Sequence, residues 1–162
     1  MGIDNFYQNP IDIVEDVIHS RKWNFSRAAE HELVAELASN LCQYRLYFSW
    51  SKQIRAINFT VTFDLKFPKT KSKQIYELLS RINEKLWIGH FDVTSKNGIP
   101  AFRHTVFEPY GNKILYNQLE DSVDIAVYEC EKYYPAFQLI LFDDSPPKEA
   151  LDLCLIETAG NA

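Results

Sequence analysis

The sequence predicts an α+β domain in which helices pack on one face of a five-stranded antiparallel sheet, in the order α-β-β-β-α-β-β-α-α. Three patterns carry that expectation. Apolar and polar residues alternate with period two in three successive segments between residues 32 and 64. Helical periodicity flanks these segments on both sides, and an Asn-Gly turn joins two further apolar arms.

The first helix is signalled by Asn9-Pro10, an N-cap residue followed by proline at the first helical position, with Asp12 and Glu15 favouring the positive end of the dipole. It is expected to reach about Lys22, with Ile11, Val14, Val17 and Ile18 forming one stripe. Three strands follow as a meander. Leu33, Ala35 and Leu37 lie on the apolar side of the first, then Tyr44, Leu46, Phe48 and Trp50, then Ile57, Phe59, Val61 and Phe63; the intervening residues, Tyr47 among them, face the other way. After Pro68 and the polar run Lys69 to Lys73 a second helix carries Ile75, Leu78, Leu79, Ile82 and Leu86 on one side, and Gly89 stops it. A hairpin then sets Phe91 and Val93 against Phe102, His104 and Val106 around Lys96-Asn97-Gly98. A long helix is expected from about Asn117, with Pro135 either kinking or dividing it, and a short last helix from Ser145-Pro146-Pro147 to about Thr158.

A chain of 162 residues suits one domain, and with 46% hydrophobic and 24% charged residues its composition forms a core. The reading is one domain over residues 1–162, with flexible tails at 1–8 and 159–162. Met1 to Asn5 is not a basic segment leading into an apolar one, so it does not read as a secretory signal, and Met1-Gly2 makes no convincing myristoylation site. The longest apolar stretch, Ala136 to Phe142, is broken by Gln138 and followed by two aspartates, far short of a membrane span. Cys42, Cys130 and Cys154 are odd in number and far apart, which fits neither a disulfide framework nor zinc knuckles and places the chain in a reducing cytoplasm. Scattered cations and a net charge of -5 argue against nucleic acid and anionic membranes as partners.

Catalytic signals are weak. Five glycines, at 2, 89, 98, 111 and 160, assemble neither a phosphate loop nor a dinucleotide fingerprint. His90, Asp92 and His104 could converge across the hairpin on a metal or as an acid-base pair, but no second cluster of ligands accompanies them, and structural histidines are the commoner case. Cys130 falls on an apolar helical stripe, as a core cysteine does, and no local signature makes Cys42 a nucleophile. Acidic pairs such as Glu15-Asp16, Glu120-Asp121 and Asp143-Asp144 are explained by helix dipoles and solubility. No catalytic, cofactor-binding or metal-binding residue is therefore assigned. Eleven phenylalanines, nine tyrosines and three tryptophans exceed what a small core needs, so some should meet a partner; Tyr47, Tyr133 and Tyr134 are the candidates, because they lie off the apolar stripes or beside a proline.

The segments NPIDIVED from Asn9, YRLYFSW from Tyr44, INEKLWIGHFD from Ile82, FRH from Phe102 and ECEKYYPAFQ from Glu129 together resemble YbjN-domain proteins over nearly the whole chain. The Ile82 to Asp92 block is the most specific part. The resemblance implies a fold similar to class I type III secretion chaperones, small acidic dimers that hold an extended segment of a client. It also implies a loosely defined role in bacterial sensory transduction or stress, and it supplies no catalytic residue.

The expected function is therefore a non-catalytic binding module, chaperone-like or regulatory, acting on a protein or peptide client. A homodimer is expected through the second helix or the sheet edges. Two other readings stay open. A small-molecule carrier of the helix-grip kind would need a cavity of roughly 300 Å³ or more beneath the long helix. A metal-dependent hydrolase would need His90, Asp92 and His104 together.

Overall fold

Local signals set the first helix. The computed structural model describes residues 9–109 and 112–160, and in it α1 spans Pro10–Ser20. The Asn9 side-chain oxygen accepts the Ile11 N–H at 3.0 Å, satisfying a donor that the first turn would otherwise leave open. Lys22, at φ 58°, turns the chain out of the helix and into the sheet.

The sheet has six strands rather than five: β1 (Asn24–Ala29), β2 (Glu32–Ala38), β3 (Gln43–Ser51), β4 (Ala56–Thr62), β5 (His90–Val93) and β6 (Pro100–Phe107), all antiparallel, in the spatial order β1-β2-β3-β4-β6-β5. The unexpected strand is β1. Its sequence Asn-Phe-Ser-Arg-Ala-Ala has almost no apolar alternation, because nearly the whole strand is exposed at the sheet edge. Two things outside it make it a strand. One is the hairpin ladder to β2, and the other is Arg27, which reaches Asp12 at 2.9 Å and Glu15 at 3.2 Å on α1.

Register places the alternating residues as the sequence suggests. Leu33 pairs with Phe48, Leu46 with Val61, Phe59 with His104 and Phe102 with Phe91, so one face is continuous and apolar. The helices cover that face. Helix α1 packs on β1, β2 and β3; α2 (Ser72–Asn83), entered through a 3-10 turn at Lys69–Lys71, packs beside β5; α3 (Asn112–Asp143) crosses β6 and β4; and α4 (Pro147–Gly160) lies on α2 and α3. The hairpin loop between β5 and β6 depends on Gly98, at φ 66°, where a Cβ atom would stand 2.1 Å from the Phe67 carbonyl oxygen.

Helix α3 begins a turn earlier than expected, because Leu115 extends the buried stripe of Leu119, Val123, Ala126 and Cys130, and it runs through Pro135 undivided. Its C-terminal carbonyls are met by Lys71, whose ammonium donates to the Ile140 and Leu141 oxygens at 2.7 and 3.1 Å and pairs with Asp144 at 3.2 Å. Helix α4 extends to Gly160, so 159 and 160 are helical rather than a tail; the remaining positions assigned to tails, 1–8 and 161–162, lie outside the described residues.

Between α3 and the sheet lies an aromatic cluster centred on Phe63, whose ring meets Phe137 at 5.1 Å, Tyr134 at 5.6 Å, Tyr44 at 5.8 Å and Phe91 at 6.1 Å. Tilted and edge-on ring pairs of this kind each add about 0.5–1.5 kcal/mol beyond their buried area. They occupy the space in which a helix-grip carrier would hold its ligand. A depression of about 510 Å³ opens elsewhere, at the end of the sheet against Asn9, His31, Trp50 and Glu108.

Candidate protein-binding surface

The segment between α2 and β5 is fixed at both ends. At the helix end, the Lys85 N–H donates to the Ile82 carbonyl at 2.9 Å and Leu86 packs partly into the core. At the strand end stands Gly89, at φ 65°, pressed so closely on the neighbouring strand that a Cβ atom would lie 2.3 Å from the Phe102 ring and 2.8 Å from the Arg103 carbonyl oxygen. Asn83 clamps the two ends together: its side-chain oxygen accepts the Phe91 N–H at 2.7 Å and its amide donates to the Phe91 carbonyl at 3.0 Å. From this held loop Trp87 projects with 99% of its surface exposed.

Sequence reasoning passed over Trp87 as a site, although a signal was present. Leu86, Trp87 and Ile88 form an apolar triplet that follows neither the period of α2 nor that of β5, so the core cannot take all three side chains.

Of the three tyrosines singled out from the sequence, only Tyr47 is on the surface. It stands on β3 in the middle of the uncovered sheet face, 40% exposed, flanked across the strands by Val34 and Thr60. Beside it Arg45 pairs with Glu36 at 3.1 Å, and hydrogen bonding to Tyr47 and then to Glu36 holds the guanidinium above its ordinary pKa. Tyr133 and Tyr134 are core residues, 1% and 3% exposed, which corrects their placement at a partner surface. Helix α3 is packed between the sheet and α4, so its apolar surface is wider than one stripe and takes in two successive tyrosines. The Tyr134 hydroxyl donates to Asp64 at 3.0 Å, and burial pushes its pKa up.

The hairpin trio does not assemble. His90 and Asp92 lie on the uncovered face, where Asp92 pairs with Arg103 at 3.3 Å. His104 points to the opposite, helix-covered face, edge-on to Phe59 with ring centroids 5.7 Å apart. Burial, and secondarily the nearby His90, lower the pKa of His104 and favour its neutral form. Among the described residues no group of three or more His, Cys, Asp or Glu could hold a metal ion. All three cysteines are buried free thiols; burial raises Cys42 and Cys154 to about 11 and Cys130 well above its ordinary value.

The held loop belongs to the block of sequence that most specifically resembles YbjN, and the comparison with known families agrees. The YbjN family, described as "Putative bacterial sensory transduction regulator", matches residues 10–139. The chain belongs to the YbjN family. That match takes in the whole sheet, α1, α2 and most of α3. No curated protein matches the sequence. Among solved structures, one described as "Crystal structure of YbjN, a putative transcription regulator from E. coli" is similar at a TM-score of 0.48 and 11% identity, over 76% of this chain and 93% of that one. No helix among the described residues is long and apolar enough to cross a membrane.

Proposed function

We propose that this YbjN-family chain is a non-catalytic protein-binding module, chaperone-like or regulatory, that acts in the bacterial cytoplasm and anchors a protein or peptide client through Trp87. One observation carries the reading, an almost fully exposed indole on a loop whose backbone is fixed at both ends. An indole buries roughly 150–250 Å² on docking, and at about 25 cal/mol per Å² that amounts to ~4–6 kcal/mol before the costs of association. A fixed loop keeps those costs low, because little ordering remains to be done on binding. Tyr47, on the uncovered face and three strands away from β5, is a separate contact point rather than part of the same patch. The family's description, "Putative bacterial sensory transduction regulator", supports the regulatory form; the chaperone-like form, with an extended client segment, rests on what the sequence resemblance implies.

The test is a pull-down from bacterial lysate with the wild type and Trp87→Ala as matched baits, together with their thermal unfolding. A client held by the wild type should weaken by about 2 kcal/mol or more, roughly 30-fold, in the variant, as for other interface anchors. The unfolding midpoint should not move. Equal recovery of every retained protein on both baits would remove Trp87 from the interface.

A further inference from the structure

An open sheet has two edges, and this one treats them differently. The outer side of β5 is closed by side chains: Asn83 takes both the N–H and the carbonyl of Phe91, and the Asp92 carboxylate accepts the Val93 N–H at 2.7 Å. An added strand would have to displace both groups. The outer side of β1 has no such cover. Among the described residues no side chain bonds to the backbone of Asn24, Phe25, Ser26 or Arg27, five of the six residues of the strand are exposed, and α1 lies over its face rather than its edge. The strand carries neither lysine nor proline; its guards are the irregularity between Arg27 and Ala29, which leaves Asn24 to Arg27 in regular register, and the charge of Arg27, which Asp12 and Glu15 on α1 already offset.

We propose that this edge pairs antiparallel with the β1 edge of a second copy, about a two-fold axis at Ser26. The charges at its ends are self-complementary. Lys22 and Glu30 flank the strand in the turns at its two ends, neither in an ion pair among the described residues, so an antiparallel pairing brings the lysine end of each copy to the glutamate end of the other, twice. The same register places Phe25 opposite Arg27 of the other copy, and the small Ser26 opposite itself. Moving the axis to Arg27 would oppose two guanidinium groups, which is unfavourable. Directly opposed residues share a face of the sheet, so the two helix layers fall on the same side. The uncovered faces, each with its Tyr47, then become one surface across two six-stranded sheets.

The experiment combines cross-linking with charge reversal on the full chain. Opposed Cα atoms in an antiparallel pair are about 4.5–5.5 Å apart, within reach of a disulfide, so Ser26→Cys should form a covalent dimer under mild oxidation. The native thiols are all buried and do not compete. In light scattering the wild type should have twice the 18.9 kDa chain mass. Lys22→Glu should weaken association by about tenfold or more, and Lys22→Glu with Glu30→Lys should restore it. Restoration in the double variant shows that loss in the single one is not a folding failure. A wild type that stays monomeric at every accessible concentration overturns the proposal. So does a dimer that neither cross-links through residue 26 nor responds to the charge reversal, since it would use another surface. A monomer whose β1 amides become protected only on adding a heterologous extended peptide would place strand addition at this edge but reject the second copy as its occupant.

Discussion

Asn83 joins the end of α2 to the outer edge of β5, and replacing it tests how much that clamp contributes. Asn83→Ala removes two hydrogen bonds, of 2.7 and 3.0 Å, to the backbone of a residue whose side chain is in the core. At a net ~0.5–1.5 kcal/mol each they sum to about 1–3 kcal/mol. Alanine returns up to about 0.7 kcal/mol through its helix propensity, which leaves a net loss of about 0.3–2.3 kcal/mol. For a domain of this size that lowers the unfolding midpoint by roughly 1–9 °C. Urea unfolding followed by circular dichroism measures the loss, and amide exchange at Phe91 locates it. Asn83→Asp divides the clamp: the carboxylate still accepts the Phe91 N–H, so that amide should stay protected, while the bond to the Phe91 carbonyl is lost. An alanine variant with unchanged stability and unchanged Phe91 exchange would refute the account of the closed edge.

Other outcomes follow from single sites. Gly98→Ala must adopt a positive φ and also meet the Phe67 carbonyl at 2.1 Å; the conformation alone costs about 1–2 kcal/mol, so the total should exceed that in urea unfolding, whereas alanine at exposed Lys96 should be near neutral. The native thiols, with Cys42 and Cys154 raised to about 11 and Cys130 higher, should react with a disulfide reagent at pH 8 only as fast as the protein opens, and all three should react at once in denaturant; fast labelling of the folded chain would contradict their burial. His104 titrates lower in the fold than its ordinary 6.5, so the unfolded chain binds the extra proton; its contribution is complete above pH 6.5 and lost as pH falls toward the folded value. Glu129 acts with the opposite sign at lower pH, because burial raises its carboxyl above 4.5 and the folded state takes up the proton first. His104→Gln should therefore flatten the decline in stability just below pH 6.5, and an unchanged pH profile would show that the imidazole is not responsible.

The sequence by itself determined the elements whose own residues carry a period or a cap. Asn9-Pro10 starts α1; Tyr44 to Trp50 and Ile57 to Val61 alternate and become β3 and β4; and Ile75 to Ile82 follow the helical spacing of α2. In each case the core demands a pattern that the segment writes locally. The family was legible for a related reason, since the Ile82 to Asp92 block encodes a helix end, a glycine turn and a returning strand in consecutive residues.

Tertiary structure alone decided the rest, because those features depend on groups distant in the chain. Strand β1 has no pattern of its own; β2 pairs with it and the α1 carboxylates hold its arginine. Tyr133 and Tyr134 looked peripheral when α3 was given one apolar stripe, and they are buried because α3 meets the sheet side over a wider front, with Tyr134 against Phe63 and Tyr44 and Tyr133 against Phe91. His104 and His90 lie on neighbouring strands but on opposite faces, since strand pairing fixes which face each alternate residue takes. Trp87 is exposed for a reason of the same kind: the clamp from Asn83 to Phe91 and the close approach of Gly89 to Phe102 set the path of the loop, and on that path no described residue covers the indole.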